Sequence, residues 1–294
     1  MTDLWIILTG ALVAATCGIL GCFLVLRKMS MIGDAISHSV LPGIVIAFIM
    51  SGSRDSFIML LGASAVGLLT VFLIQLFQHN GVQSDASIGV VFTALFAVGV
   101  VLVSLNARNV DLDLDCVLFG EIAYVHWNTM TLFGIDIVPK AVWILGFTLL
   151  VILLVIGLFY KQFKICAFDP AMAIACGIPV ALFHYLLMGL VSMTTVASFE
   201  SVGAILVVGM LIVPASTAYL LTERLSLMIM YSVAIGIICA IAGYYLSSLL
   251  DASIAGMMVT VAGALFVLAF VLSPSHGMLA RLLKRRRIAE MTAM

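Results

Sequence analysis

An aspartate and a histidine, Asp34 and His38, stand four residues apart inside an otherwise apolar stretch of the chain. On a helix, residues four apart share one face, so both side chains can reach the same ligand. A carboxylate oxygen together with an imidazole nitrogen suits divalent ions such as manganese, iron(II) and zinc. The spacing therefore predicts a metal-ion site, while a hydrogen-bonded pair that only joins helices is the alternative.

Two side chains do not complete a coordination shell of about four ligands or more, so a second chain or another helix must supply the rest. Glu200 is the best internal candidate, at the outer ends of two apolar segments. A solvated turn residue is an equally good interpretation of Glu200. Glu121 is a weaker candidate, and His184 is expected to be a structural histidine near the inner end of its segment.

The composition identifies the elements that must position these residues. Hydrophobic residues make up 64% of the 294 residues and charged residues 9%, against about 45–50% and about 25% in soluble proteins. This excludes a water-soluble globular protein and predicts an all-α polytopic membrane protein, since about 20 apolar residues span a bilayer. About nine spans are expected, with eight or ten possible: 4–26, 29–51, 57–78, 86–106, 141–160, 180–199, 201–222, 226–248 and 252–273. The segment 107–140 is expected to be an external loop with a short, partly embedded helix.

The basic residues predict the orientation, because lysine and arginine concentrate on the cytoplasmic side of membrane proteins. With the C-terminus inside and nine spans, ten of the 13 basic residues fall inside and three outside. The N-terminus is therefore expected outside and the C-terminus in the cytoplasm. Residues 1–276 are expected to form one transmembrane domain, followed by a basic cytoplasmic tail over 277–294.

One cytoplasmic loop contains a predicted surface helix near 169–177. Asp169 is a suitable N-cap, Pro170 fits the first turn, and Gly177 can end the helix. The chain has no G-x-x-x-x-G-K-[ST] phosphate loop, so it is not expected to hydrolyse ATP itself. It also lacks the G-x-S-x-G and H-E-x-x-H motifs, and no enzymatic activity is expected.

The loop sequence Phe168-Asp169-Pro170-x-Met172-Ala173-x-x-x-Gly177-Ile178-Pro179 resembles the coupling segment of ABC importer permeases. More narrowly, it is similar to the family that takes up manganese, zinc or iron, and segments 33–43, 85–92 and 202–218 match the same family in order. The resemblance implies that Asp34 and His38 line the metal path. It implies an ATPase-coupling role for a set of loop residues: Phe168, Asp169, Pro170, Met172, Ala173, Gly177 and Ile178.

The same resemblance implies the partners and the cargo. The partners are two cytoplasmic ATPase subunits, an extracytoplasmic metal-binding protein and a second permease chain, identical or a sister. Residues 120–123 resemble manganese-type permeases and favour manganese, with zinc or iron(II) as alternatives. Glu200 stands where many relatives carry glutamine, and a carboxylate there would favour a harder ion. No permanently bound cofactor and no nucleic acid are expected, and the protein is placed in the bacterial cell membrane, in contact with lipid.

A stand-alone secondary transporter for divalent cations is the alternative function. Inverted repeats and interrupted helices would favour it, and the sequence contains no convincing internal repeat. Dependence of uptake on an ATPase would discriminate between the two functions.

Overall fold

The computed structural model describes residues 2–51, 56–106, 122–127 and 138–273, which are almost entirely helical. Backbone N–H and C=O groups in a bilayer must pair within the protein, and long apolar helices meet this requirement. The helices are α1 (Thr2–Leu26), α2 (Ser30–Ser39), α3 (Leu41–Ser51), α4 (Ser56–His79), α5 (Ser84–Asn106), a 3₁₀ helix (Ile122–Trp127), α6 (Lys140–Leu158), α7 (Tyr160–Phe168), α8 (Pro170–Ala175), α9 (Val180–Val202), α10 (Ala204–Leu221), α11 (Leu225–Leu250) and α12 (Ile254–Leu272).

Within these ranges, nine helical segments are long and apolar enough to cross a membrane. They correspond to the nine predicted spans, and this confirms the all-α polytopic fold. The predicted tail 277–294 and most of the predicted outer loop, 107–121 and 128–137, lie outside the described residues. Inside that loop, the 3₁₀ helix buries Ile122 and Val125 and packs against α1 and α9.

The second span differs from the prediction, because it is broken into α2 and α3 at Val40. Pro42 explains the break: it has no N–H to donate to the carbonyl of His38, and its ring disfavours a continuous helix. The break is firmly packed. The Ser39 and Thr70 hydroxyls are 2.7 Å apart and buried, and a Cβ on Gly99 of α5 would lie 2.9 Å from Pro42 Cδ.

The loop after α6, which was predicted to lie on the cytoplasmic side, also contains more helix than its sequence predicted. Residues 161–168 were expected in a loop, whereas Tyr160–Phe168 forms α7. Phe163 and Cys166 are both 2% exposed. Burial of these two side chains on one face stabilises α7 even though Lys161 and Lys164 make its sequence polar.

Helix α1 lies in the middle of the bundle and packs against α6, α9, α10 and α11. Small residues allow its backbone to approach its neighbours closely, as in other membrane helices. A Cβ on Gly21 would overlap the carbonyl oxygen of Leu211 on α10. The Ser232 hydroxyl of α11 donates to the carbonyl of Gly18 at 3.1 Å.

Candidate metal-ion site and coupling segment

Helix α2 places Asp34 and His38 together on one face, as their spacing predicted. The distance from Asp34 Oδ1 to His38 Nε2 is 3.6 Å, which is longer than a hydrogen bond between these groups. The Asp34 side chain is 42% exposed and the His38 side chain 37% exposed. The two groups therefore remain accessible to a ligand although α2 lies within a span.

The separation of the two atoms fits a shared divalent cation. Metal ligands such as carboxylate oxygen and imidazole nitrogen bind at about 2.0–2.2 Å, and two such bonds can meet between atoms 3.6 Å apart. Among the residues that the structure describes, no group of three histidine, cysteine or acidic side chains could hold a metal ion. A metal ion bound by Asp34 and His38 would therefore need further ligands from elsewhere.

Both side chains line a cavity of about 470 Å³ that is otherwise apolar. The other lining residues come from α5, α10 and α12: Phe96, Ala204, Ile205, Val208, Gly209 and Val259. A cation in this cavity would meet one carboxylate and one imidazole against hydrocarbon walls. Such surroundings strengthen electrostatic attraction to Asp34, since water screens it less.

Two aromatic rings of α5 flank His38, a contact that was not predicted from the sequence. The ring centroids of Phe92 and Phe96 each lie 6.1 Å from the imidazole centroid. Their four-residue spacing could have suggested a shared helix face, but spacing within α5 cannot reveal which helix that face contacts. The rings flank the imidazole, whose Nε2 lies 3.6 Å from Asp34 Oδ1.

Glu200 lies within α9 and not in the turn that the sequence suggested. Helix α9 extends to Val202, and the turn is at Gly203, where φ is 80°. The side chain of Glu200 is outside the described part of the structure, as is Glu121. Cavity residue Ala204 is four residues further along, a distance of at most about 14 Å, so the role of Glu200 as a third ligand stays a prediction.

The predicted surface helix exists as α8, and its ends have the predicted chemistry. The Asp169 carboxylate accepts a hydrogen bond from the Met172 backbone N–H at 3.0 Å, as an N-cap does. Pro170 is the first helical residue. Gly177 has φ +75°, a conformation that favours glycine and ends the helical turn.

We call residues 168–178 the coupling segment, after the role that the sequence suggests for them. The segment lies outside the nine candidate spans, where exposed apolar side chains are not explained by contact with lipid. Three of its apolar side chains are nevertheless exposed: Phe168 at 54%, Met172 at 57% and Ile174 at 66%. Ala173 is fully buried and Ile178 half-buried. Exposed apolar side chains grouped on a short helix are typical of a protein–protein contact.

Comparisons with known proteins agree with these features. The family model described as the ABC 3 transport family matches residues 3–273. The manganese transport system membrane protein MntD of Bacillus subtilis is 54% identical over 282 residues, covering 96% of both chains. The zinc transport system membrane protein TroD of Treponema pallidum is 42% identical and covers 96% of this chain and 77% of its own.

A solved structure is similar over nearly the whole chain. The structure of PsaBC from Streptococcus pneumoniae in complex with Fab superposes with a TM-score of 0.79 at 34% identity. The match covers 96% of this chain and 94% of the other. The helical arrangement described above is therefore an experimentally observed fold.

Proposed function

The chain belongs to the ABC 3 transport family, and we propose that it is the permease through which an ABC importer takes up manganese(II). It is a multi-pass bacterial membrane protein that forms the membrane-spanning part of the transporter. The observation that carries the proposal is the pair Asp34 and His38, which faces a cavity from a broken span. The name of the relative at 54% identity supports manganese, and the zinc-named relative supports zinc as the second candidate; iron(II) has similar ligand preferences.

In the proposed cycle, an extracytoplasmic binding protein releases the ion to Asp34 and His38 from outside. Cytoplasmic ATPase subunits dock on the coupling segment. They supply the ATP hydrolysis, because this chain has no phosphate loop of its own. ATP-driven movement of the coupling segment then opens the cavity to the inside. For net import, the two ligands must hold the ion more tightly in the outward-open state than in the inward-open state.

The incomplete site supports a second permease chain as a partner. Asp34 and His38 provide two ligands, and both remain partly exposed. A second copy, or a sister permease, placed against this cavity would contribute the missing ligands and exclude water from the ion. A carboxylate at Glu200 is the internal candidate for a further ligand.

The orientation in this proposal places the coupling segment in the cytoplasm and the N-terminus outside. The ten-to-three distribution of the 13 basic residues supports it. Arg27 and Lys28, at the end of α1, then mark the inner membrane surface. Helix α2 begins at Ser30, so Asp34 and His38 lie about 6 Å and about 12 Å along it at the 1.5 Å rise of a helix, which places them within the membrane in this orientation.

A stand-alone secondary transporter would also use a broken helix at its site, and α2 and α3 are such a helix. The two functions differ in their need for an ATPase. Uptake that is lost with a hydrolysis-deficient ATPase subunit supports the importer, and uptake that continues without it supports the alternative.

The metal path is tested by uptake of radiolabelled manganese into cells that express the complete importer and lack other manganese uptake. The double variant Asp34→Ala/His38→Ala should lower uptake at least about tenfold, because loss of even an outer-shell partner lowers metal affinity by about 10–100-fold. His79→Ala, which changes an exposed histidine of α4, is the matched control and should leave uptake unchanged. Unchanged uptake in the double variant, at equal amounts of protein in the membrane, would show that the ion takes another path.

A further inference from the structure

The inner end of α1 is tied to α9 by a single polar contact between distant parts of the chain. Arg27 Nη1 lies 3.2 Å from His184 Nδ1. Because a guanidinium can only donate, Nδ1 accepts the hydrogen bond and the imidazole is neutral, with its proton on Nε2. His184 is 6% exposed, so water does not compete freely for this contact.

An aromatic layer lies beside the polar contact. The ring of Phe163, on α7, lies 5.7 Å from that of Phe23 on α1 and 5.3 Å from that of Phe183 on α9. All three rings are nearly or fully buried, at 6% exposure or less. Helix α7 is therefore held between α1 and α9 and cannot shift without moving one of them.

The polar contact and the aromatic layer belong to one unit, which we call the inner joint. Its residues are Phe23, Arg27, Phe163, Phe183 and His184. Arg27 directly follows the last residue of α1, and its N–H donates to the Phe23 carbonyl at 3.1 Å, while Phe183 and His184 are adjacent on α9. Arg27 also interacts electrostatically with the buried Cys166 of α7. Within the described part of the chain, no ion pair joins Arg27 to a carboxylate, so His184 is the hydrogen-bond partner that holds this half-buried cation.

Along the chain, the inner joint borders both the coupling segment and the pair Asp34 and His38. Helix α7 ends at Phe168, where the coupling segment begins. On the other side, α1 leads through a tight turn into α2, and Asp34 is seven residues after Arg27. The turn is held by the Met29 N–H, which donates to the Leu24 carbonyl at 2.9 Å, and by Lys28, whose φ is 57°.

Building on the proposed function, we infer that the inner joint transmits movement of the coupling segment to α2, and that Arg27 and His184 are its positioning residues. A displacement of α7 shifts Phe163 against α1 and α9 together. The hydrogen bond between Arg27 and His184 keeps those two helix ends moving as one body. The turn then passes the displacement to the helix that carries Asp34 and His38.

The Nε2 atom of His184 supports the inference that His184 acts in more than one conformation of the transporter. It is buried and has no hydrogen-bond partner among the described residues. A buried donor without a partner destabilises the conformation that contains it. The described conformation therefore leaves His184 able to gain a partner when the inner ends of the helices rearrange.

The test uses the complete importer in proteoliposomes and compares metal transported with ATP hydrolysed. Arg27→Met removes the donor and His184→Leu the acceptor, whereas Arg27→Lys and His184→Asn retain a donor and an acceptor. We expect the first two to lower the metal-to-ATP ratio at least about fivefold, the lower end of typical coupling between sites, with ATP hydrolysis continuing. The second two should retain most of the ratio, and the double variant Arg27→Met/His184→Leu should be no worse than either single variant.

The inference is overturned if transport and hydrolysis fall in parallel, or if His184→Asn is as impaired as His184→Leu. His79→Leu, an exposed histidine on α4, is the matched control for loss of an imidazole. If Arg27→Met fails to assemble, Arg27→Lys and the two variants His184→Leu and His184→Asn still decide the question. Manganese binding to each importer variant is measured separately. Unchanged binding in a variant locates its defect at the inner joint. A wild-type importer that binds no manganese counts against the proposed function only.

Discussion

At the scale of single residues, the candidate site divides into a part that sequence can predict and a part that it cannot. Asp34 and His38 share a helix face by local geometry alone, and their four-residue spacing was sufficient to predict that they meet. Phe92 and Phe96 reach His38 from another helix, so their contact depends on tertiary packing. The same holds for Arg27 and His184, which are 157 residues apart.

Two cysteines between α6 and α9, Cys166 and Cys176, should differ sharply in reactivity. Burial raises the pKa of the Cys166 thiol, and the nearby positive charge of Arg27 opposes this only in part. The thiolate is the reactive form, so a raised pKa keeps Cys166 in the unreactive thiol form at pH 7–8 and shifts its reaction to higher pH. Cys176, exposed in the coupling segment, should be alkylated by maleimide at pH 7 faster than Cys166, because the reagent reaches an exposed thiol and burial shields the other.

The labelling is measured by mass spectrometry in a Cys116→Ser background, because Cys116 lies outside the described residues. Cys17, Cys22 and Cys239 are buried in spans and serve as internal controls for intact folding. A membrane-impermeant maleimide should reach Cys176 in inside-out vesicles and not in right-side-out ones. Fast labelling of Cys166, or labelling of Cys176 from outside, would contradict the burial of α7 or the proposed orientation.

At the scale of elements, the bundle depends on close helix contacts at small residues. Gly21→Ala places a Cβ where the Leu211 carbonyl oxygen already lies, and a backbone atom cannot move aside as a side chain can. We expect a loss of about 1–3 kcal/mol, the usual cost of overpacking. Thermal unfolding of the purified permease in detergent should show a lower midpoint for this variant.

Gly146→Ala is the matched control for this prediction, because no atom lies within 4 Å of a Cβ built at Gly146 on α6. Alanine is favoured over glycine within a helix by about 0.5–1 kcal/mol, so this variant should equal or exceed the wild-type midpoint. Equal midpoints for the Gly21 and Gly146 variants would mean that α1 and α10 are not in close contact.

The break between α2 and α3 and the existence of α7 illustrate why element boundaries were harder to predict than spans. Hydropathy counts apolar residues and is insensitive to Pro42, which interrupts α2–α3 without changing the apolar character of the span. Lys161 and Lys164 gave α7 the polarity of a loop. Its helical state depends on Phe163 and Cys166 packing against α1 and α9, contacts that do not exist at the level of sequence.

At the scale of the whole molecule, composition predicted the nine spans, because a bilayer imposes one length and one backbone geometry on every crossing segment. The ordered motifs predicted the family, which the match over residues 3–273 confirms. The completed metal site was not predictable from one chain. If Asp34 and His38 bind the ion, the remaining ligands would come from a partner or from Glu200, and neither contribution follows from local spacing.

The central claim is that Asp34 and His38 hold the transported ion, and equilibrium binding tests it most directly. Manganese binding to the purified importer, without its external binding protein, can be followed by electron paramagnetic resonance of the free ion. The account predicts saturable binding to the wild-type importer and to the His79→Ala control, with affinity reduced at least about tenfold in Asp34→Ala/His38→Ala. Wild-type affinity in a correctly assembled Asp34→Ala/His38→Ala importer would contradict it.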